Sequence, residues 1–121
     1  TAVNNVLGIF RHVKNTVSFK AGDTIFNEGD AGDYMYIVQE GTVDVVLHGK
    51  VVESVEAGGI IGEMALIDNE KRSAAAIAQT DCRLVPVSQK QFTFMVQETP
   101  YFALQVMHIM AERLRKQHER A

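Results

Sequence analysis

Tyr34-Met35-Tyr36-Ile37-Val38-Gln39-Glu40-Gly41-Thr42-Val43-Asp44-Val45-Val46-Leu47-His48-Gly49-Lys50-Val51-Val52-Glu53-Ser54-Val55 is three apolar runs parted by Glu40-Gly41 and His48-Gly49. A two-residue connection with glycine second is strong hairpin chemistry, so the stretch reads as successive antiparallel strands. Upstream, Thr16-Val17-Ser18-Phe19 and Thr24-Ile25-Phe26 repeat the pattern around Ala21-Gly22-Asp23, and Glu28-Gly29-Asp30-Ala31-Gly32-Asp33 supplies another turn. Eight of the nine glycines fall between residues 22 and 62, the mark of a chain that reverses often there.

Beyond Ala57-Gly58-Gly59 the character changes. Ile60-Ile61-Gly62-Glu63-Met64-Ala65-Leu66-Ile67-Asp68-Asn69 is rich in Ala, Leu and Met and short, which predicts one helical turn at about 63–67 inside a β segment. Strands resume over 73–78 and 83–87. Ser88 is placed to cap a helix over about 89–97, and Pro100 to open a longer one over about 101–119. The first half of that helix is apolar on a face wider than one partner needs, which predicts burial on two sides, with Phe102, Met107 and Met110 in the core. Val3, Val6, Leu7 and Phe10 share one face of a short N-terminal helix. The expected architecture is mainly β, a sandwich or jelly roll, with residues 1–12 as N-terminal helix, 16–87 as β-roll and 88–120 as C-terminal helices. At 121 residues this is a single domain.

Charge and cysteine usage exclude several functions. The net charge of −3 conceals a block from Asp23 to Glu70 with eleven acidic residues and one lysine. The tail Arg113, Arg115, Lys116 and Arg120 is diluted by Glu112 and Glu119, so direct nucleic-acid binding is not expected. No apolar run approaches the roughly 20 residues of a membrane span, and residues 1–6 lack a secretory pattern. A cytoplasmic protein without membrane contact is expected. Cys82 is the only cysteine and reads as a small buried strand residue. The four histidines lie far apart, without metal-ligand spacing, and no nucleophile elbow is present, so no catalytic residue, metal or catalytic cofactor is expected.

The inserted helical turn is different. Gly62 permits close approach of a ligand, and the first N–H groups after it, at Glu63, Met64 and Ala65, lack partners within the helix. Nine residues after Glu63 comes Arg72, in Lys71-Arg72-Ser73-Ala74-Ala75. An arginine can hold two phosphate oxygens at once, and small neighbours leave room for main-chain N–H of Ala74 and the Ser73 hydroxyl to join it. A carboxylate at Glu63 suits a sugar hydroxyl. These residues describe a pocket for a small molecule with a phosphate, a ribose and an apolar or aromatic part.

Gly62-Glu63-Met64-Ala65-Leu66-Ile67 followed by Arg72-Ser73-Ala74 resembles the phosphate-binding cassette of the cyclic nucleotide-binding domain family, found in catabolite activator proteins, cAMP-dependent kinase regulatory subunits and cyclic-nucleotide-gated channels. Residues 21–30 and 36–45 are similar to the family's two glycine-marked strand pairs, and the resemblance extends from about Phe10 to Arg120. It implies a jelly-roll β-barrel, or double-stranded β-helix, with a short inserted phosphate-binding helix. It implies that Glu63 accepts the ribose 2′-hydroxyl and that Arg72 pairs with the cyclic phosphate. Gly62, Met64, Ala65 and Ala74 would give main-chain groups or close contact, with Ser73 beside the phosphate and Ile61 on the apolar wall where the family usually has Phe. Ser73 stands where kinase-type cAMP sites tend to have Ala and cGMP-selective sites Thr. Bacterial cAMP-binding members commonly have Ser there, so the implied ligand is cAMP rather than cGMP. Gln117 and His118 fall near the region where some members contact the base.

The implied role is a sensor in which ligand binding shifts the C-terminal helices, acting on a second copy of the chain or on an effector protein. The competing reading is a non-binding interaction or oligomerisation domain in which Glu63 and Arg72 merely pair with each other. No helix-turn-helix, kinase or channel segment is readable in the 121 residues, which leaves a stand-alone sensor and a piece of a larger protein as alternatives.

Overall fold

The computed structural model describes Phe10, residues 13–68 and residues 70–120. Of the expected N-terminal helix only Phe10 lies among them, and it is buried. Among the described residues, eight strands form two four-stranded antiparallel sheets. One sheet is ordered β1 (Val17–Phe19), β8 (Cys82–Ser88), β3 (Tyr34–Glu40), β6 (Ile60–Ile61). The other is ordered β2 (Thr24–Phe26), β7 (Ala75–Ala78), β4 (Val43–Leu47), β5 (Lys50–Val55). This is the mainly β jelly roll that the sequence predicts, with one correction: β4 and β5 form the expected hairpin, but β3 and β4 lie in different sheets, so Glu40-Gly41 makes the corner where the chain crosses from one sheet to the other rather than a hairpin turn. At the second turn both His48 (φ 52°) and Gly49 (φ 77°) adopt the left-handed conformation that a type I′ turn requires.

Three described helices interrupt and follow the strands: α1 (Glu63–Asp68), α2 (Gln89–Glu98) and α3 (Pro100–Arg120). Ser88 caps α2 through a full capping box, its hydroxyl accepting from the Gln91 N–H while the Gln91 side chain accepts from the Ser88 N–H.

Strand alternation divides the core in two. On β3, Met35 and Ile37 face the helices and join Val85, Val87, Leu66, Phe102, Val106 and Ile109. Val38, on the other side of the same strand, joins Val43, Val55, Ile61, Ala76, Ala78, Cys82 and Leu84 between the sheets. Cys82 is therefore a buried strand residue, as expected, and burial pushes its thiol pKa up.

One packing expectation is corrected. Phe102 is buried and Met110 partly so, but Met107 is 56% exposed, with Leu104 and Leu114 similarly placed. The roll covers only one side of α3, the Phe102–Val106–Ile109 face, and the second apolar face points outward.

Candidate functional site

Arg72 lies in the connection before β7, where its N–H donates to Asp30 O and its carbonyl accepts from the Gly29 N–H, both at 2.8 Å. This reciprocal pair fixes the backbone against the turn before β3, so the side chain projects into the roll, where it is 5% exposed. Nη1 donates to the Gly62 carbonyl at 3.0 Å and Nη2 to the Tyr34 carbonyl. The guanidinium sits over the Phe26 ring, 4.1 Å from its centroid, and Phe26 in turn stacks on Tyr36. Burial lowers the Arg72 pKa, against the opposing pull of Tyr36, Asp33 and Asp30. A guanidinium nevertheless stays charged at neutral pH.

Of the five N–H donors on that guanidinium, Nε is buried without a partner among the described residues. A buried charge with unused donors is costly unless an acceptor meets it. Gly62 makes the arrangement feasible: its φ is +77°, and a Cβ there would strike the Arg72 guanidinium, lying 3.2 Å from Cζ.

Glu63, the first residue of α1, is 3% exposed. It does not pair with Arg72. Its carboxylate takes an ion pair from Nη1 of Arg113, which descends from α3 fifty residues later in the chain. Arg113 also holds Glu53 of β5, with Nε at 2.9 and 3.0 Å from the two carboxylate oxygens, and donates through Nη2 to the Ile60 carbonyl. The simple Glu63–Arg72 pair of the competing sequence reading is thus corrected: each of these charges has other neighbours.

A cavity of about 350 Å³ joins these groups, within the usual range for small-ligand pockets. Ile61, Gly62, Glu63, Met64, Arg72, Ser73 and Ala74 line it, together with Phe26, Val45, Leu47, Val52, Glu53 and Arg113. Ser73 and Ala74 directly precede β7, while Ala65 follows Met64 in α1. Because α1 is only six residues long, the positive charges facing the cavity come from Arg72 and Arg113 rather than from the helix. A second cavity, about 320 Å³, lies beyond Glu53 and Arg113, which line both. Gln117 and His118 lie outside the residues whose side chains are described. Among the described residues no three His, Cys, Asp or Glu side chains come together to hold a metal, and no helix is long and apolar enough to cross a membrane.

Sequence reasoning missed Arg113, Glu53 and Phe26. Arg113 had a signal: it continues the Phe102, Val106, Ile109 spacing that marks the buried face of α3.

A double-sheet roll with a buried arginine, a buried carboxylate and an apolar-walled cavity defines a binding domain for a small organic anion. The chain belongs to the cyclic nucleotide-binding domain family, whose model matches residues 16–99. It is 48% identical over 63 residues to a cAMP-dependent protein kinase regulatory subunit of Debaryomyces hansenii, covering 52% of this chain and 14% of that protein. With the corresponding subunit of Eremothecium gossypii it shares 42% over 71 residues, covering 59% of this chain and 16% of that protein. The matched stretches are therefore a small part of those relatives. Among solved structures, the catabolite activator protein of Thermus thermophilus superposes with a TM-score of 0.78 at 27% identity, over 87% of this chain and 52% of that one. The EAL enzyme Bd1971 in its cAMP-bound form gives 0.63 at 34% identity, over 86% of this chain and 29% of that one.

Proposed function

We propose that this chain binds a cyclic nucleotide, cAMP in preference to cGMP, inside the β-roll and passes the event to its C-terminal helices as a regulatory module. The observation that carries the reading is Arg72, a buried guanidinium with unused donors facing a cavity that also holds Glu63. In this reading Arg72 takes the cyclic phosphate, with Ser73 and the Ala74 N–H beside it. Glu63 accepts the ribose 2′-hydroxyl through the capacity that Arg113 leaves unused, since a carboxylate has about four acceptor sites. Gly62, Met64 and Ala65 provide close main-chain approach, and Ile61, Val45 and Val52 enclose the base. Support comes from a relative solved in cAMP-bound and cGMP-bound forms and from the cAMP-dependent kinase subunits among the relatives.

Arg113 gives the transmission its physical route. It ties α3 to Glu63, Glu53 and Ile60 of the roll, so a ligand that engages Glu63 acts on an anchor of the helix. A ligand moves α3 only by as much as it prefers one arrangement over the other. The outward face carrying Leu104, Met107 and Leu114 is where a moved helix would meet a second copy or an effector.

Calorimetric titration with cAMP and cGMP tests the binding reading. Saturable heat at one site per chain, with tighter cAMP binding, is expected. Absence of heat and of any thermal shift at millimolar ligand would leave only the non-binding interaction domain.

A further inference from the structure

We propose that Glu53 reads the nucleobase, accepting a hydrogen bond from the 6-amino group of adenine and disfavouring a 6-oxo purine. The proposal deepens the cyclic nucleotide reading above and rests on it.

The placement follows from strand register. Val43 pairs with Val55 and Val45 with Glu53 across β4 and β5, without a bulge between the two pairs. Val55 is buried in the core between the sheets, so Glu53, two residues earlier, turns its side chain to the same interior face. The carboxylate there, paired with Arg113 and with its side chain 29% exposed, faces the same cavity as Val45, Val52 and Ile61.

The contacts also place Glu53 along the cavity. Arg72 touches Gly62, Glu63 follows Gly62 in the chain, Arg113 joins Glu63, and Glu53 joins Arg113. With the phosphate at Arg72 and the ribose at Glu63, the next group along the wall is the base, and the next protein group is Glu53. The remaining wall there is aliphatic, so a polar edge of the base that finds no partner stays unsatisfied, and hydrogen-bond pattern becomes discriminating.

The geometry of Arg113 decides which pattern fits. Its Nε lies almost equally far from both Glu53 oxygens, at 2.9 and 3.0 Å, and so occupies the side of the carboxylate on which both oxygens point the same way. What remains is an outer acceptor site on each oxygen, suited to one N–H at a time. Adenine offers a single amino group at position 6. Guanine offers two adjacent parallel donors, which want the occupied side, and a 6-oxo group, whose lone pairs a carboxylate repels.

The experiment is calorimetry on the whole chain with three ligands: cAMP, cGMP and the 3′,5′-cyclic phosphate of purine riboside, which is cAMP without the 6-amino group. Wild-type protein is expected to bind cAMP about 10-fold or more tightly than the amine-free analogue, the scale of one hydrogen bond to a charged group. Glu53→Gln is expected to narrow that difference and to lower the cAMP-to-cGMP preference, since an amide can donate to a 6-oxo group; both readouts are ratios within one protein, so a general loss through Arg113 cancels from them. Equal binding of cAMP and the amine-free analogue by wild-type protein overturns the proposal, even if the variant does not fold. A Glu53→Gln variant that shifts all three ligands alike also overturns it, assigning Glu53 to holding Arg113 only. Tight cGMP binding lost in the variant would assign Glu53 to guanine instead and likewise overturns it. If none of the three binds wild-type protein, the cyclic nucleotide reading fails together with this one.

Discussion

Two arginines reach the same cavity and are held in opposite ways. Arg72 is 5% exposed, bonded to two carbonyls and to no carboxylate, with Nε unused. The Arg113 side chain is 19% exposed and answered by two carboxylates and a carbonyl. The first arrangement leaves donors unpaired on a buried charge, whereas the second pairs its cation with two carboxylates and joins a helix to a roll. Two cations on one cavity thus differ in what they leave unpaired, and the proposed phosphate contact rests on that difference rather than on burial.

The contrast breaks most visibly if Arg113 is removed. Arg113→Met leaves Glu63, 3% exposed, and Glu53 without their shared cation, and breaking such a pair from one side costs about 3 kcal/mol. Urea unfolding should show the midpoint falling with an unchanged slope. A loss below about 1 kcal/mol would mean that Arg113 is not a joint. Arg72→Leu should do the reverse. The fold survives, since an incompletely paired buried charge is exchanged for an apolar side chain, while cAMP affinity falls about 10- to 150-fold.

Gly62 and Gly49 sharpen the point, because both have a φ of +77° but only Gly62 has the Arg72 guanidinium beside it. Alanine at either position strains the backbone by about 1 kcal/mol. Gly62→Ala should also displace Arg72 and weaken cAMP binding by about 10-fold, and Gly49→Ala should leave affinity unchanged in the same titration. The smallest effect belongs to Glu112, whose pairs with Arg115 and His108 lie at the surface. Glu112→Gln should change the thermal midpoint by no more than the scatter between preparations, as isolated exposed pairs do.

The Arg72 end of the cavity was legible in the sequence because its parts are local. Gly62 and Glu63 are neighbours, Arg72 is nine residues on, and the first arginine after a long acidic block stands out. The β4–β5 hairpin was legible for the same reason, since Gly49 marks a turn between two neighbouring strands, whereas at Gly41 the same local signal marks a crossing between sheets, which only the strand pairing reveals. Arg113 was not, because it meets Glu63 only through the path of α3 across the roll, and in the chain it resembles Arg115, which pairs with Glu112 at the surface instead. Glu53 was hidden likewise: alternation places it on one of two faces, and only the register with Val45 shows that the face is interior. Met107 failed differently. Periodicity shows that α3 has two apolar faces, but a covering partner is a property of the fold, and the roll covers one.

The central claim is that Arg72 is charged, buried and incompletely paired because it holds a cyclic phosphate. Its most direct test is a side-by-side calorimetric titration of wild-type and Arg72→Leu protein with cAMP, with circular dichroism confirming that both are folded. The expected result is saturable one-site binding to the wild type, weakened about 10- to 150-fold in the variant. Equal affinity in the two proteins, or no heat from either at millimolar cAMP, would contradict it.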